Sequence, residues 1–169
     1  MKRSSSKRRA GATDDSEFKL DDFLPYRLAV TSSSVSRLFA RRYAEAFDLS
    51  IPEWRVIAVV GRFGTLSPGT VGEATEMDKV KVSRAAGNLV ARGLLKQTQD
   101  PTDGRGRLLS LTRKGAAVHR EAIPLARDLE QSLSQGLSHA EWATLRKVLW
   151  RLNTHAHTIA GTDNGSEVD

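Results

Sequence analysis

A chain of 169 residues with 39% hydrophobic and 27% charged residues can bury one domain core, and its net charge of +6 suits nucleic acid, a membrane surface or simple solubility. The absence of cysteine excludes disulfides, thiolate metal sites and thiol redox sensing. No apolar run approaches the ~20 residues of a membrane span, and no apolar stretch follows the basic N-terminus as in a secretory signal, so a cytoplasmic protein is expected.

Residues 1–17, rich in Ser, Lys and Arg, lack apolar periodicity and read as a disordered basic tail, either an arm on DNA or a solvating segment. Between residues 22 and 47, Leu24, Leu28, Val35, Leu38, Phe39 and Tyr43 recur at helical spacing and predict a long first helix. Ser50-Ile51-Pro52-Glu53 is a capping box with proline in the first turn, and it opens a second helix that Gly64 breaks. Ser67-Pro68 starts a short third helix. Asp78 caps a fourth, which carries Val82, Ala85, Ala86, Leu89 and Val90 on one stripe and stops at Gly93.

Residues 94–99 and 107–111 are extended candidates on either side of seven turn-forming residues, which is a hairpin. Thr112 caps a fifth helix through Ile123, Leu129 and Leu133, which Pro124 should kink. Ser138-His139-Ala140-Glu141, a second capping box, opens a sixth along Trp142, Leu145, Val148, Leu149 and Leu152. Residues 161–169, small and acidic, read as a second disordered tail.

The predicted fold is mainly α, a six-helix winged helix-turn-helix with a two-stranded β wing and a helical dimerisation region. It forms one domain over residues 18–160, with a DNA-binding lobe at about 50–111 and dimerisation helices at about 22–47 and 112–159. Between Asp78 and Gly115, nine Lys and Arg stand against three Asp, so this segment carries the whole net charge; it contains no Glu. A fourth helix that enters the major groove by its N-terminal end needs exposed donors there, and Lys79, Lys81, Ser83, Arg84 and Asn88 meet that need. Lys79 and Lys81 suit phosphate or guanine, Arg84 bases or phosphate, and Ser83 phosphate. Asn88, farther along, is either a groove residue or solvent-exposed. Thr70, on the third helix, joins the DNA-binding set.

At the hairpin tip, Asp103-Gly104-Arg105-Gly106-Arg107 places arginines among glycines, where backbone approaches DNA closely and Arg105 enters the minor groove. Asp103, repelled by phosphate, reads as an orienting partner for Arg84 or Arg105. The P-loop ending Lys-Ser/Thr is missing, which argues against a nucleotide-phosphate loop. No nucleophile, base and orienting group occur together, and His155 and His157 point apart on a helix, so neither an enzyme nor a metal or cofactor site is expected. Terminal helices with more apolar surface than a small winged lobe can cover require a second copy, a homodimer with recognition helices ~34 Å apart on a palindromic operator.

The segments Ile51-Pro52-Glu53-Trp54-Arg55-Val56-Ile57, Val82-Ser83-Arg84, Leu89-Val90-Ala91-Arg92-Gly93-Leu94-Leu95 and Asp103-Gly104-Arg105 leading through Leu109-Ser110-Leu111-Thr112 to Gly115 resemble those of MarR-type regulators. The resemblance implies Ser83 and Arg84 on the recognition helix, Arg105 at the wing tip, and the first, fifth and sixth helices in a dimer interface. It also implies release from double-stranded DNA by a small effector, an aromatic carboxylate or its coenzyme A thioester. Arg27, Ser34, Trp54 and His119 offer a counter-ion, a hydroxyl, an aromatic wall and a titratable donor for such a cleft. Each has a plainer reading, with Trp54 in the core, Arg27 solvated and His119 at the surface or an interface. Two other functions remain open: a constitutive architectural DNA-binding protein without an effector, and a scaffold whose winged domain binds protein.

Overall fold

The helix starts are closed by the side chains the sequence points to. In the structure, a computed structural model that describes residues 18–163 apart from Asp103 and Arg105, the Glu53 carboxylate accepts from the Ser50 amide at 2.8 Å, while the Ser50 hydroxyl accepts from the Glu53 amide. Ser67, Asp78 and Thr112 accept from the amides of Thr70, Lys81 and Gly115, and Ser138 with Glu141 repeats the reciprocal box. A cap satisfies amides that a helix end leaves without partners. The tails expected at residues 1–17 and beyond 163 lie outside the described residues.

The order is α1 (Leu24–Phe47), α2 (Ile51–Phe63), α3 (Pro68–Thr75), α4 (Lys79–Ala91), β1 (Leu95–Gln99), β2 (Arg107–Leu111), α5 (Arg113–Ser134) and α6 (His139–Asp163), with a 3-10 turn at Leu20–Asp22 ahead of α1. The six-helix fold with a two-stranded wing is therefore as predicted. Gly93 has a φ of 68°, a left-handed turn that lets α4 fold directly into β1.

The core lies in the lobe rather than along the terminal helices. Val56, Ile57 and Val60 of α2 are buried against Val71 of α3, Val82 and Leu89 of α4, and Leu95 and Leu109 of the wing, with Tyr43 and Leu49 closing it from the side of α1. Each such side chain contributes about 1.5–3 kcal/mol. The wing strands are antiparallel, Leu95 opposite Leu111 and Gln99 opposite Arg107. Leu66 adds a bridge not read from the sequence: its amide donates to Leu109 O at 3.0 Å, and the Leu109 amide returns the bond at 2.8 Å. The wing base is thereby fixed to the segment entering α3.

Pro124 lies inside α5, which runs unbroken from Arg113 to Ser134. Pro124 is exposed while Ala122 and Leu129 are buried, so the helix turns its interrupted bond to solvent and keeps its packed face intact. Helix α6 departs most from a monomeric core. Of its residues through Gly161 only Trp142 is half-buried, and Leu145, Val148, Leu149, Trp150, Leu152 and Ile159 are exposed. His157 Nε2 lies 3.1 Å from Glu76 Oε1, a contact that ties the far end of α6 to the end of α3. No helix among the described residues is long and apolar enough to cross a membrane.

Candidate nucleic-acid interface

Helix α4 lays Val82, Ala85, Ala86 and Leu89 on the lobe and turns Lys79, Lys81, Ser83 and Arg84 outward, all four exposed. Its first turn is set by Asp78, whose carboxylate accepts from the Lys81 amide at 2.8 Å and lies 3.0 Å from the Lys81 ammonium. These bonds hold the Asp78 carboxyl below its ordinary range, the backbone bond first and the ammonium next. Lys81 is thus partly neutralised within its own turn, whereas Lys79 and Ser83 line an open groove of about 740 Å³ with Pro68, Gly69 and Gly72 of α3 and Gln97 of the wing. The recognition helix and the wing base are therefore presented together. Arg107 pairs with Gln99 at the outer end of the ladder, exposed, on the strand face that carries Leu109.

Thr70 is at the start of α3, where its amide donates to Ser67 Oγ at 3.1 Å and the two hydroxyls lie 2.9 Å apart. It is exposed but committed to the cap. Asp103 and Arg105 lie outside the described residues; beside them, the Asp100 carboxylate accepts from the Thr102 amide and hydroxyl, and Gln99 Nε2 donates to Gly104 O. That local turn shapes the base of the wing tip.

Asn88 is placed away from this set. It lines a cleft at the α1–α2 junction with Asp48, Leu49, Glu53 and Arg92, and its amide helps lower the Glu53 carboxyl. The physical reason is the buried carboxylate, which takes available donors from α4. Arg92, read from sequence as part of the basic cluster, is drawn in the same way. Its guanidinium donates to Asp48 O at 2.6 Å and Phe47 O at 3.0 Å, with the carboxylates of Asp48 at 3.5 Å and Glu53 at 4.0 Å. Lys114 Nζ donates to Arg92 O at 3.2 Å. Arg92 is thus a clamp between the recognition helix and the end of α1, and the charge available to DNA is smaller than the sequence count implies.

Burial raises the Glu53 carboxyl, but the backbone and side-chain bonds from Ser50, then Asn88 and Arg92, outweigh it and leave the group below its ordinary value of 4.5. A carboxyl lowered on folding stabilises the fold fully above its unfolded value and loses that contribution as pH falls through the lowered value. Glu53→Gln should therefore lower stability at pH 7 by about 1–3 kcal/mol, with the gap to wild type narrowing as the pH falls through the lowered value. Urea midpoints at pH 7 and pH 3.5 measure this, and an equal gap at both would refute it.

The four candidate ligand residues do not converge in the chain. Trp54 stacks on Tyr43 at 4.8 Å between centroids and on His119 at 6.4 Å, and Gly61 gives the His119 ring its seat, since a Cβ there would meet the ring at 2.6 Å. Burial lowers the His119 imidazole and pushes the Tyr43 phenol up to about 12. The Tyr43 hydroxyl is buried and finds no hydrogen-bond partner among the described residues. Arg27 instead donates to Asp21 O at 3.1 Å, and Ser34 accepts from Arg37 at 3.0 Å, both on exposed turns of α1. At 1.5 Å per residue Arg27 lies about 24 Å along α1 from Tyr43, so within one protomer it stands apart from the aromatic stack. Among the described residues, no group of three or more His, Asp or Glu side chains is arranged to hold a metal.

Helix, turn, exposed basic helix and bridged two-stranded wing define a winged helix-turn-helix DNA-binding protein. The MarR family model matches residues 47–106, from the end of α1 through the wing. The chain is 28% identical over 108 residues to the multiple antibiotic resistance protein MarR of Escherichia coli K12, covering 63% of this chain and 75% of that protein. The solved structure of Bordetella bronchiseptica BpsR, whose DNA binding is regulated by 6-hydroxynicotinic acid, superposes with a TM-score of 0.75 at 26% identity, covering 80% of this chain and 96% of the other. A mutant E. coli MarR complexed with operator DNA gives 0.70 at 25% identity, over 76% and 92% of the two chains. In sequence over the lobe and in overall fold, the chain is thus similar to the MarR family of transcriptional regulators.

Proposed function

We propose that this regulator is a homodimeric repressor that occupies a palindromic operator and leaves it on binding a small aromatic carboxylate or its coenzyme A thioester. The observation that carries the reading is the groove shared by the first turns of α4, by α3 and by the wing, which brings Lys79, Ser83 and Gln97 to one face. Lys79, Lys81, Ser83, Arg84 and Arg107 meet the duplex, with Arg105 at the wing tip. The exposed apolar side chains of α6 and of the start of α1, among them Phe23, Leu24, Leu149 and Trp150, support a second copy as the body that covers them.

Effector release is a population shift, in which the ligand binds better to the dimer whose recognition helices no longer match one DNA turn. The Tyr43–Trp54–His119 stack supports the seat of an aromatic ligand, because it joins α1, α2 and α5, the elements on both sides of the boundary between lobe and dimer helices. The operator complex of the E. coli relative and the 6-hydroxynicotinic acid response of the Bordetella relative support the two halves of this cycle.

Footprinting on the chain's own upstream region at physiological salt tests the reading, repeated with aromatic acids and their thioesters. A discrete twofold footprint lost with one compound is the expected result. Diffuse protection with no response to any compound would replace it with the architectural reading.

A further inference from the structure

Val80 occupies a position for which the fold itself gives no use of a branched apolar side chain. It is 68% exposed, second in α4, between Lys79 and Lys81. At 100° per residue it lies half a turn from Leu89, which is fully buried at the centre of the stripe that α4 lays on the lobe, so Val80 points directly outward. β-branching is also a poor choice for an exposed helical site, where no packing repays the stiff rotamer.

Gly87, seven residues on, falls on nearly the same outward line. A Cβ built there meets nothing within 4 Å, although glycine is the least favourable helix residue after proline. Nothing within the lobe requires that glycine. An apolar tip followed by a cleared line, flanked by Lys79, Ser83 and Arg84, has the form of a surface fitted to a groove with one apolar feature. In the major groove that feature is the C5 methyl of thymine, since the remaining edge groups are hydrogen-bond donors and acceptors.

We propose that Val80 is a specificity-determining residue that selects thymine in each operator half-site by packing on its methyl group, with Gly87 leaving room for the groove edge behind it. This rests on the major-groove placement of α4 proposed above. Lys79, Ser83 and Arg84 supply hydrogen bonds to phosphate and guanine. Val80 supplies what they lack, a contact that a cytosine at the same position cannot return and that leaves a cytosine amino group facing an isopropyl group.

The test begins with duplexes selected by the wild-type protein from a randomised pool. Each thymine of the selected duplex is then replaced in turn by deoxyuridine, which lacks only the methyl, and titrated with wild type and with Val80→Ala. One thymine per half-site should lose about threefold in wild-type affinity on replacement, and roughly tenfold when both half-sites are changed. Val80→Ala should be insensitive to the same replacement while its thermal midpoint stays at or slightly above that of wild type. Insensitivity of wild type at every thymine, or sensitivity retained in Val80→Ala, overturns the inference and leaves operator binding standing. A wild-type protein that selects no sequence overturns both the inference and the placement of α4.

Discussion

Replacing Lys79 and Arg84 together by alanine should weaken operator binding by roughly 10²–10³-fold at fixed salt and leave the thermal midpoint nearly unchanged. Both side chains are exposed on α4, so their removal takes little from the fold. A forked contact to a base is worth about 1–3 kcal/mol, and a dimer loses every contact twice. The salt dependence separates the two roles. Loss of a phosphate contact from each protomer should reduce the slope of log K against log salt by about 1.8, whereas loss of a base contact leaves the slope alone and relaxes sequence preference. Lys79→Ala alone should therefore move the slope and Arg84→Ala the preference. Arg92→Ala is the contrast, because its guanidinium holds the carbonyls of Phe47 and Asp48, and its loss should appear in the denaturation midpoint. Double-variant affinity within twofold of wild type would remove α4 from the interface.

What was legible in the sequence was local. A Ser, Thr or Asp followed three residues later by a free amide closes the same bond wherever the chain goes, so Ser50, Ser67, Asp78, Thr112 and Ser138 marked five helix starts correctly. The wing was legible for the same reason, two extended runs around a turn. Its attachment through Leu66 was not, because that pairing joins residues 43 positions apart with no pattern in Leu66 to announce it. The basic cluster was visible as composition, yet Arg92, Lys81 and Lys114 meet acceptors that composition cannot show, three of them backbone carbonyl groups. Asn88 went the same way, toward a carboxylate buried on another helix. The ligand quartet was named by residue type, which carries no distance. Residue type alone put Arg27 beside Trp54, and the rise of α1 keeps them apart.

Alanine in place of Gly115 and alanine in place of Gly87 should move stability in opposite directions, though both glycines are helical. Helix propensity alone favours alanine by about 1 kcal/mol at either site. At Gly87 nothing opposes that gain, since the new Cβ enters open space, and the midpoint should rise by about 2–3 °C. At Gly115, in the first turn of α5, the Cβ would overlap the carbonyl oxygen of Leu94 and sit 2.9 Å from its carbon. A backbone carbonyl has no rotamer by which to withdraw. This one also accepts the Thr112 amide at 3.1 Å, so separation loosens the joint where the wing passes into α5. Overpacking of 1–3 kcal/mol and a strained hydrogen bond exceed the propensity gain, for a net loss of about 2–4 kcal/mol and a midpoint lower by roughly 5–15 °C. Thermal unfolding at matched protein concentration measures both, and a stable Gly115→Ala would mean that α5 slides on the lobe. Because that joint also sets where the lobe stands against α5, Gly115→Ala should lose operator affinity at temperatures well below its own midpoint. Gly87→Ala should lose affinity while gaining stability, since its added methyl stands on the side of α4 that faces the duplex.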